Sequence, residues 1–504
     1  MSVSWSQTLL LLYYLTLGVL ALYGMHRLWL VGVYLRTRHR EPPEPNLPEE
    51  WPVVTVQLPL YNEMYVAARL IDAVCRLDYP RDRLEIQVLD DSTDETRDIV
   101  AREVDRWRDR GMDIHHVHRT DRVGFKAGAL EAGLEVARGE LLAVFDADFV
   151  PPSDFLQRTV PYFTDERTGE GLGMVQARWE HINREYSLLT RIQSILLDGH
   201  FLIEHTARHR NGCFFNFNGT AGVWRRRVIA DAGGWQHDTL TEDLDLSYRA
   251  QLAGWKFLYL PEVAVPSELP VDVQGFKSQQ YRWARGSIQT CRKLLGRVLR
   301  ARLPLRVKLE ALVHLTSNVC YVLMILLSLL VYPAMAVRRD AGPDTLLWVD
   351  LPLFVAATVS VLIFYLASQA AAGRNWRRET LYLPALMGLG IGLAINNARA
   401  VVAGFFRRGG VFHRTPKYRI ETRGESWRSK RYRVAKDWTM VLETLFAIYL
   451  GTGCVLAVQT GMWSSLPFLY LFFHGYAYMV VLTALSGMDN GGTLEEARAE
   501  GMEG

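Results

Sequence analysis

Asp146 and Asp148 stand two residues apart at the end of a short apolar run. Side chains on a strand alternate, so both carboxylates point to one side. Two carboxylates so placed can share a divalent cation, Mg2+ or Mn2+, with phosphate oxygens, leaving its other positions to substrate and water. A bare D-x-D also occurs as a solvated loop pair; the apolar run before it favours the metal site. Asp90 and Asp91 close another apolar run, where a carboxylate can accept hydrogen bonds from a base edge or a ribose. Asp90 is the favoured ligand. Asp91 either joins it or caps the following helix. Pro59, Tyr61 and Glu63 follow a third apolar run and can hold the same base. Arg122, Gly124 and Lys126 open a helix. Backbone donors plus a lysine there suit phosphate, although an exposed basic turn has the same composition.

Asp243, with Glu242 beside it, lies between Thr241 and the helix-like stretch 244–250. An acid after a turn can act as general base toward a sugar hydroxyl. One base suffices if attack displaces a nucleotide directly with inversion; a covalent route needs a second, nucleophilic carboxylate. The plainer use of the Glu242-Asp243 pair is charge at a helix N-terminus. In a helix, Gln279, Arg282 and Trp283 share one face. Arg282 suits a pyrophosphate bidentately, and Trp283 offers an apolar face to a sugar ring. A membrane-interface belt would use the same residue types. His115, His116 and His118 lie on a strand, the last two on one face, with no other cluster partner evident. They are read as core or edge positions rather than as a zinc site.

These residues need a frame. Apolar runs at 53–58, 84–89, 113–118 and 141–145 alternate with amphipathic stretches at 66–75, 92–110 and 124–137. That pattern predicts an α/β domain, a mostly parallel Rossmann-like sheet covered on both faces. Ligands bind beyond the carboxyl ends of such strands, where both acidic clusters fall. The apolar stretch 8–33 is too long for a signal peptide and is followed, not preceded, by Arg36, Arg38 and Arg40. It predicts a membrane anchor with its C-terminal end inside. Long apolar runs return at 311–337, 346–372, 381–406, 441–461 and 463–485. The basic loop 407–436 should share the cytoplasmic side with the sheet domain. That requires an even number of crossings between them, so 381–406, with Asn396, Asn397 and Arg399, is expected to be interfacial or re-entrant. About five spans result. The expected units are a transmembrane helix at 8–35, the sheet domain with interfacial helices at 51–305, and a transmembrane pair at 306–372. An interfacial helix and basic loop at 381–436, a second pair at 437–487 and a tail at 488–504 complete them.

Composition bounds the rest. The 504 residues are 49% hydrophobic, which sets disorder aside, and carry a net charge of +3, which gives no case for nucleic acid. Five cysteines without a C-x-x-C pair point away from disulfides and zinc and toward a reducing compartment.

Asp90-Asp91, Asp146-x-Asp148, Thr241-Glu242-Asp243 and the Q-x-x-R-W of Gln279 to Trp283 occur in that order. Together they resemble the membrane-integrated family 2 glycosyltransferases with a GT-A domain. The wording 217–225 and 276–283 is similar to that of plant cellulose-synthase-like glucan and mannan synthases and their bacterial relatives. The resemblance spans about residues 53–417. It implies that Asp90 binds the nucleotide base, that Asp146 and Asp148 hold the diphosphate through Mg2+ or Mn2+, and that Asp243 is the base. It places Gly219, Thr220 and Trp283 at the acceptor. Cellulose synthases carry a gating loop, F-x-V-T-x-K; here Phe412, Thr415 and Lys417 match and Arg414 replaces the valine. The implied activity is inverting transfer of a hexose from UDP-glucose or GDP-mannose to a growing β-glycan, coupled to its passage through the membrane. A second reading is a single transfer to a lipid acceptor of the ceramide or diacylglycerol type. The implied setting is the plasma or inner membrane, among membrane lipids, with the catalytic domain cytoplasmic. No protein partner is indicated.

Overall fold

Successive side chains of one apolar run enter two different cores. Leu141 and Ala143 pack with Val54, Val56, Ile86 and Val88 on one side of a sheet. Leu142 and Val144 pack with Leu130, Phe217, Trp224 and Leu246 on the other. A strand covered on both faces reads as a continuous hydrophobic run, and each such side chain contributes about 1.5–3 kcal/mol on burial. The computed structural model describes residues 5–338, 346–407, 409–412, 414–432 and 438–488. His413 and the tail after Met488 lie outside these.

The described residues form seven strands: β1 (Val54–Leu60), β2 (Leu84–Asp90), β3 (Ile114–His118), β4 (Leu141–Val144), β5 (Leu172–His181), β6 (Gly222–Arg225) and β7 (Lys256–Ser267). Their order is β3-β2-β1-β4-β6-β5-β7. Four of the six pairings are parallel, and only the two made by β6 are antiparallel. The sheet is therefore the mostly parallel α/β sheet that the alternation predicts. β5, β6 and β7 are not among the predicted strands. β6 has four residues, β5 carries Gln176, Arg178 and Glu180, and the sequence of β7 contains Pro261 and Pro266, which argue against a strand. β2 and β4 flank β1, so the winding reverses there and leaves a crevice beyond the carboxyl ends. Register brings Leu60, Asp90 and His118 side by side at that end.

Helix Val273–Arg300 leaves the sheet after Asp272, whose carboxylate accepts from the Gly275 amide at 2.6 Å. It packs along helix Ala394–Phe406, where a Cβ on Gly404 would meet the Arg285 carbonyl at 2.9 Å. Lys277 makes a buried ion pair with Glu443 at 2.6 Å, tying this helix to Thr439–Gln459.

Among the described residues, six helical runs are long and apolar enough to cross a membrane: Trp5–Thr37, Val319–Val337, Trp348–Ala371, Trp376–Phe406, Thr439–Gln459 and Trp463–Ser486. Such a set makes this an integral membrane protein. Six by length and composition is one more than the expected five. The additional one is the run expected to be interfacial or re-entrant. It consists of helices Leu383–Gly392 and Ala394–Phe406 joined at Leu393. It is 67% buried, against 22–39% for the others, so protein rather than lipid encloses most of it. Asn396 is buried inside and donates to the Lys277 carbonyl at 2.9 Å.

Candidate active site

The crevice holds a cavity of about 160 Å³. Its wall begins at the strand ends. Pro59 and Tyr61 enter from β1, Asp91 from the end of β2, and Asp146 and Asp148 from the end of β4. Glu63 and Lys126 lie beside them. Gly219, Glu242 and Asp243 form the opposite side, and Gln279, Arg282 and Trp283 descend from helix Val273–Arg300. Phe412, Thr415 and Lys417 close it from a segment far along the chain.

Two expected residues stand behind this wall. Asp90 is fully buried; its Oδ1 accepts from the Ser92 amide at 2.8 Å and its Oδ2 lies 2.9 Å from His116 Nε2. Burial pushes the Asp90 carboxyl up, but these hydrogen bonds outweigh it and hold it below its usual range. Asp91, the residue left undecided by sequence, is the one that faces the cavity. Arg119 clamps it bidentately at 2.8 and 2.6 Å. Consecutive residues at a strand end point to opposite sides, so only one of the pair can face the crevice. Thr220 is also fully buried. Its hydroxyl accepts from the Asp146 amide at 2.9 Å, so it positions that aspartate rather than reaching the cavity.

The two D-x-D carboxylates already have cationic partners. Lys126 Nζ meets Asp146 and donates to the Gly219 carbonyl at 2.9 Å. Lys417 Nζ lies 2.7 Å from Asp148 and donates to the Glu268 carbonyl at 2.7 Å. Burial works against charging Lys126, but Asp146 and Glu242 outweigh it and hold its pKa above the ordinary value. Acids outnumber these lysines. Burial raises the Asp146 and Glu242 carboxyls, and it pushes Glu63 up to about 8 although Arg414 lies 3.3 Å away. A cavity with this surplus of oxygen donors fits a hard divalent cation. Asp146 and Asp148 would hold it, and when bound it would neutralise charge on a diphosphate.

Asp243 lies in the first turn of helix Glu242–Leu252, and its Oδ1 accepts from the Leu244 amide at 2.8 Å. Burial, then the neighbouring Glu242, push its carboxyl up to about 7. Two glycines let the chain come this close. Gly219 has φ +80°, and a Cβ there would lie 3.2 Å from Asp243 Oδ2 and 3.3 Å from Lys126 Nζ. A Cβ on Gly286 would meet Thr241 at 2.5 Å, so only glycine lets helix Val273–Arg300 pack on the acidic turn. Phe125 and Ala221, both with side chains, hold φ near +50° (51° and 54°) next to cavity residues. Strain of this kind gathers at functional sites.

The remaining contacts come from the segment after residue 410. Phe412 stacks between Phe125, at 6.2 Å, and the Arg282 guanidinium, at 4.1 Å. Arg414, the departure from the gating pattern, reaches Glu63 and lies over the Tyr432 ring at 3.9 Å. Tyr418 and Ile420 are buried with Val271, and the Tyr418 amide donates to Glu268 at 2.9 Å. Arg431 pairs with Glu95 at 2.6 Å. Motif reading misses Arg119, Arg414 as a cavity residue, and Asn218. The hydrogen-bond capacity of Asp91 and Glu63 was the only signal that each needed a cation.

A second cavity, of about 520 Å³, shares Trp179, Asn218, Thr241, Asp243, Gln279 and Trp283 with the first. It runs on between helices, past Leu17, Phe354, Leu386 and Phe472 of the apolar runs.

A family model described as glycosyltransferase like family 2 matches residues 52–286, which include the strand-end carboxylates, Asp243 and the Q-x-x-R-W residues. Residues 52–286 are thus a domain similar to the family 2 glycosyltransferases. Curated relatives agree over this domain. One, from Oryza sativa subsp. japonica, is a probable glucomannan 4-beta-mannosyltransferase 7, 46% identical over 257 residues, 50% of this chain and 43% of that one. Glucomannan 4-beta-mannosyltransferase 2 of Arabidopsis thaliana is 46% identical over 254 residues, 50% of this chain and 47% of its own. Glucomannan 4-beta-mannosyltransferase 1 of Cyamopsis tetragonoloba is 38% identical over 322 residues, 62% of this chain and 60% of its own. The chain spans about half the length of the first two relatives. A solved structure similar to this one is a mannosyltransferase from Pyrobaculum calidifontis in complex with GDP-Man and Mn2+. Its TM-score is 0.52 at 20% identity, covering 77% of this chain and 99% of that one, which establishes a shared GT-A fold.

Proposed function

We propose that this protein is an inverting β-mannosyltransferase that takes GDP-mannose and extends a β-glycan, passing the product into the membrane region. The observation that carries this reading is the placement of Asp243 and Trp283 on the wall shared by two cavities. One holds the carboxylates suited to a metal-bound diphosphate, and the other runs between apolar helices. The names of the curated relatives support mannosyl transfer, and the fold neighbour was solved with GDP-Man and Mn2+.

In this reading Pro59, Tyr61 and Asp91 hold the nucleotide, and Arg282 and Lys126 face the diphosphate. Gln279 lines the donor side. Asp146 and Asp148 hold Mg2+ or Mn2+. Asp243 takes the proton of the acceptor hydroxyl as its oxygen bonds to the anomeric carbon and the diphosphate oxygen leaves from the opposite face. Trp283 supports the acceptor's terminal ring beside Gly219. Phe412, Thr415 and Lys417 cover the donor, excluding water that would otherwise hydrolyse it.

Topology supports the direction of transfer. Residues 414–432 touch the sheet domain through Lys417, Tyr418 and Arg431. Both segments then share one side of the membrane, and an even number of crossings separates them. With Val319–Val337 and Trp348–Ala371 as crossings, the enclosed run Trp376–Phe406 does not cross completely. The shared side is cytoplasmic, where nucleotide sugars are found and where the basic loops belong.

The apolar walls of the second cavity favour one other reading, transfer to a lipid acceptor. Purified protein incubated with a panel of labelled nucleotide sugars distinguishes them. The expected result is incorporation from GDP-mannose into a polymer cut by a β-mannan-specific glycosidase. A single sugar on an extractable lipid would replace the polymer reading.

The pH–rate profile follows from Asp243. A general base works only when ionised, so turnover should be low in acid and rise with pH through about 7, where the Asp243 carboxyl is poised. Glu242 is the second cause of that elevation. Glu242→Gln removes a neighbouring negative charge and should move the rising limb to lower pH. A limb that stays in place would remove the electrostatic link between the two acids.

A further inference from the structure

We propose that Asp90, His116 and His118 form a binding site for a divalent transition-metal cation of the Zn2+ class, separate from the Asp146 and Asp148 pair. Strand geometry assembles it. His116 and His118 are two residues apart on the edge strand β3, so their imidazoles share a face. Register pairs His116 with Val88 and His118 with Asp90 across to β2. The two rings lie 6.1 Å apart at 65° and converge on one carboxylate oxygen. Asp90 Oδ2 is 2.9 Å from His116 Nε2 and 3.7 Å from His118 Nδ1, and the three potential ligand atoms all lie within 4.8 Å of one another. Ligands about 2.0–2.2 Å from a tetrahedral zinc are roughly 3.3 Å from each other, a spacing that these two distances bracket.

A simple His–Asp hydrogen bond accounts for His116 only. His118 Nδ1 is buried with no hydrogen-bond partner, and at 3.7 Å it is too far from Asp90 to make one. Proteins rarely leave such an atom unsatisfied. One cation among the three groups satisfies it. The carboxylate is oriented for this as ligating carboxylates generally are, its other oxygen taking the Ser92 amide at 2.8 Å. The histidine side chains are 17% and 20% exposed, which leaves an entry path and an open position for water. Two imidazoles and one carboxylate select borderline metals such as Zn2+, whereas the all-oxygen pair Asp146 and Asp148 suits Mg2+ or Mn2+. The site would pin β2 to β3 next to Asp91, which lines the donor cavity, and its partner Arg119.

The test is calorimetric titration of chelator-stripped, full-length protein in detergent with Zn2+. Wild type should bind one Zn2+, and an Asp146→Asn/Asp148→Asn variant should retain that binding. His118→Ala and His118→Gln should each weaken it more than about 100-fold, because even loss of an outer partner of a metal ligand typically costs 10–100-fold. Both variants should still bind GDP in Mn2+, which checks that they are folded. Co2+ added to stripped wild type should show the visible absorption of a low-coordinate, imidazole-bound ion. Zn2+ affinity unchanged in both His118 variants, or lost with Asp146 and Asp148, would overturn the proposal. So would a wild type that binds no Zn2+.

Discussion

Asp243→Asn is expected to abolish sugar transfer while donor binding survives. Asparagine keeps the size of the side chain and an oxygen to accept from the Leu244 amide, now 2.8 Å away. What it loses is the ability to take a proton. General-base catalysis contributes about 10²–10⁴-fold, or ~3–5.5 kcal/mol of barrier. The loss should appear in kcat, with the affinity for GDP in Mn2+ unchanged. Two features support the proposal that Asp243 is the base rather than a helix cap. Its carboxyl is poised at about 7, where a base is both ionised and strong enough to matter. It also lines both cavities, which would let one carboxylate reach a donor in the first and an acceptor in the second. Retained turnover in Asp243→Asn would exclude it. In that case Glu242→Gln would be the next variant to measure, since the two acids are neighbours.

Asp148→Ala is expected to weaken donor binding in Mn2+ by at least about 10–100-fold, the range found when merely the outer partners of metal ligands are lost. Affinity in the absence of metal should change far less. Calorimetric titration of GDP with and without Mn2+ separates the two. Asp148 also pairs with Lys417, so the variant frees a lysine as well as removing a carboxylate. Lys417→Ala isolates that second effect. If Asp148 acts only by anchoring the 414–432 segment, Lys417→Ala should reproduce the loss and metal dependence should be intact. If it holds the cation, Lys417→Ala should leave Mn2+-dependent binding in place or tighten it, because the competing ammonium is gone.

Particular residues mark how far the sequence could be read. Alternation at 141–145 was enough to place Asp146 and Asp148 at a strand end on one side of a crevice. The spacing of Gln279, Arg282 and Trp283 was enough to put them on one helix face. Asp90 and Asp91 were not separable. Two adjacent carboxylates are equivalent in composition, and which faces the cavity depends on where β2 stops and on what β3 brings beside it. Thr220 looked like part of the acceptor wall, yet it supports Asp146 from behind. His116 and His118 had no visible partner, since Asp90 lies 26 residues before His116 and meets it only through strand pairing. Arg414 looked like a defect in the gating pattern until the fold set it beside Glu63.

The sequence by itself determined the strand and helix periods, the carboxylates at the strand ends, the acidic turn before Asp243 and the apolar runs. Each of these is written in neighbouring residues, because backbone geometry repeats every 2 or 3.6 positions. Only the tertiary structure decided which acids share a wall, which lysine neutralises which aspartate, and that the two cavities share lining residues such as Asp243 and Trp283. Lys417 and Asp148 are 269 positions apart, and no local pattern links them. Their pairing exists because burying the apolar faces of the sheet and the helices leaves those two charges in one low-dielectric pocket, where each lowers the cost of the other.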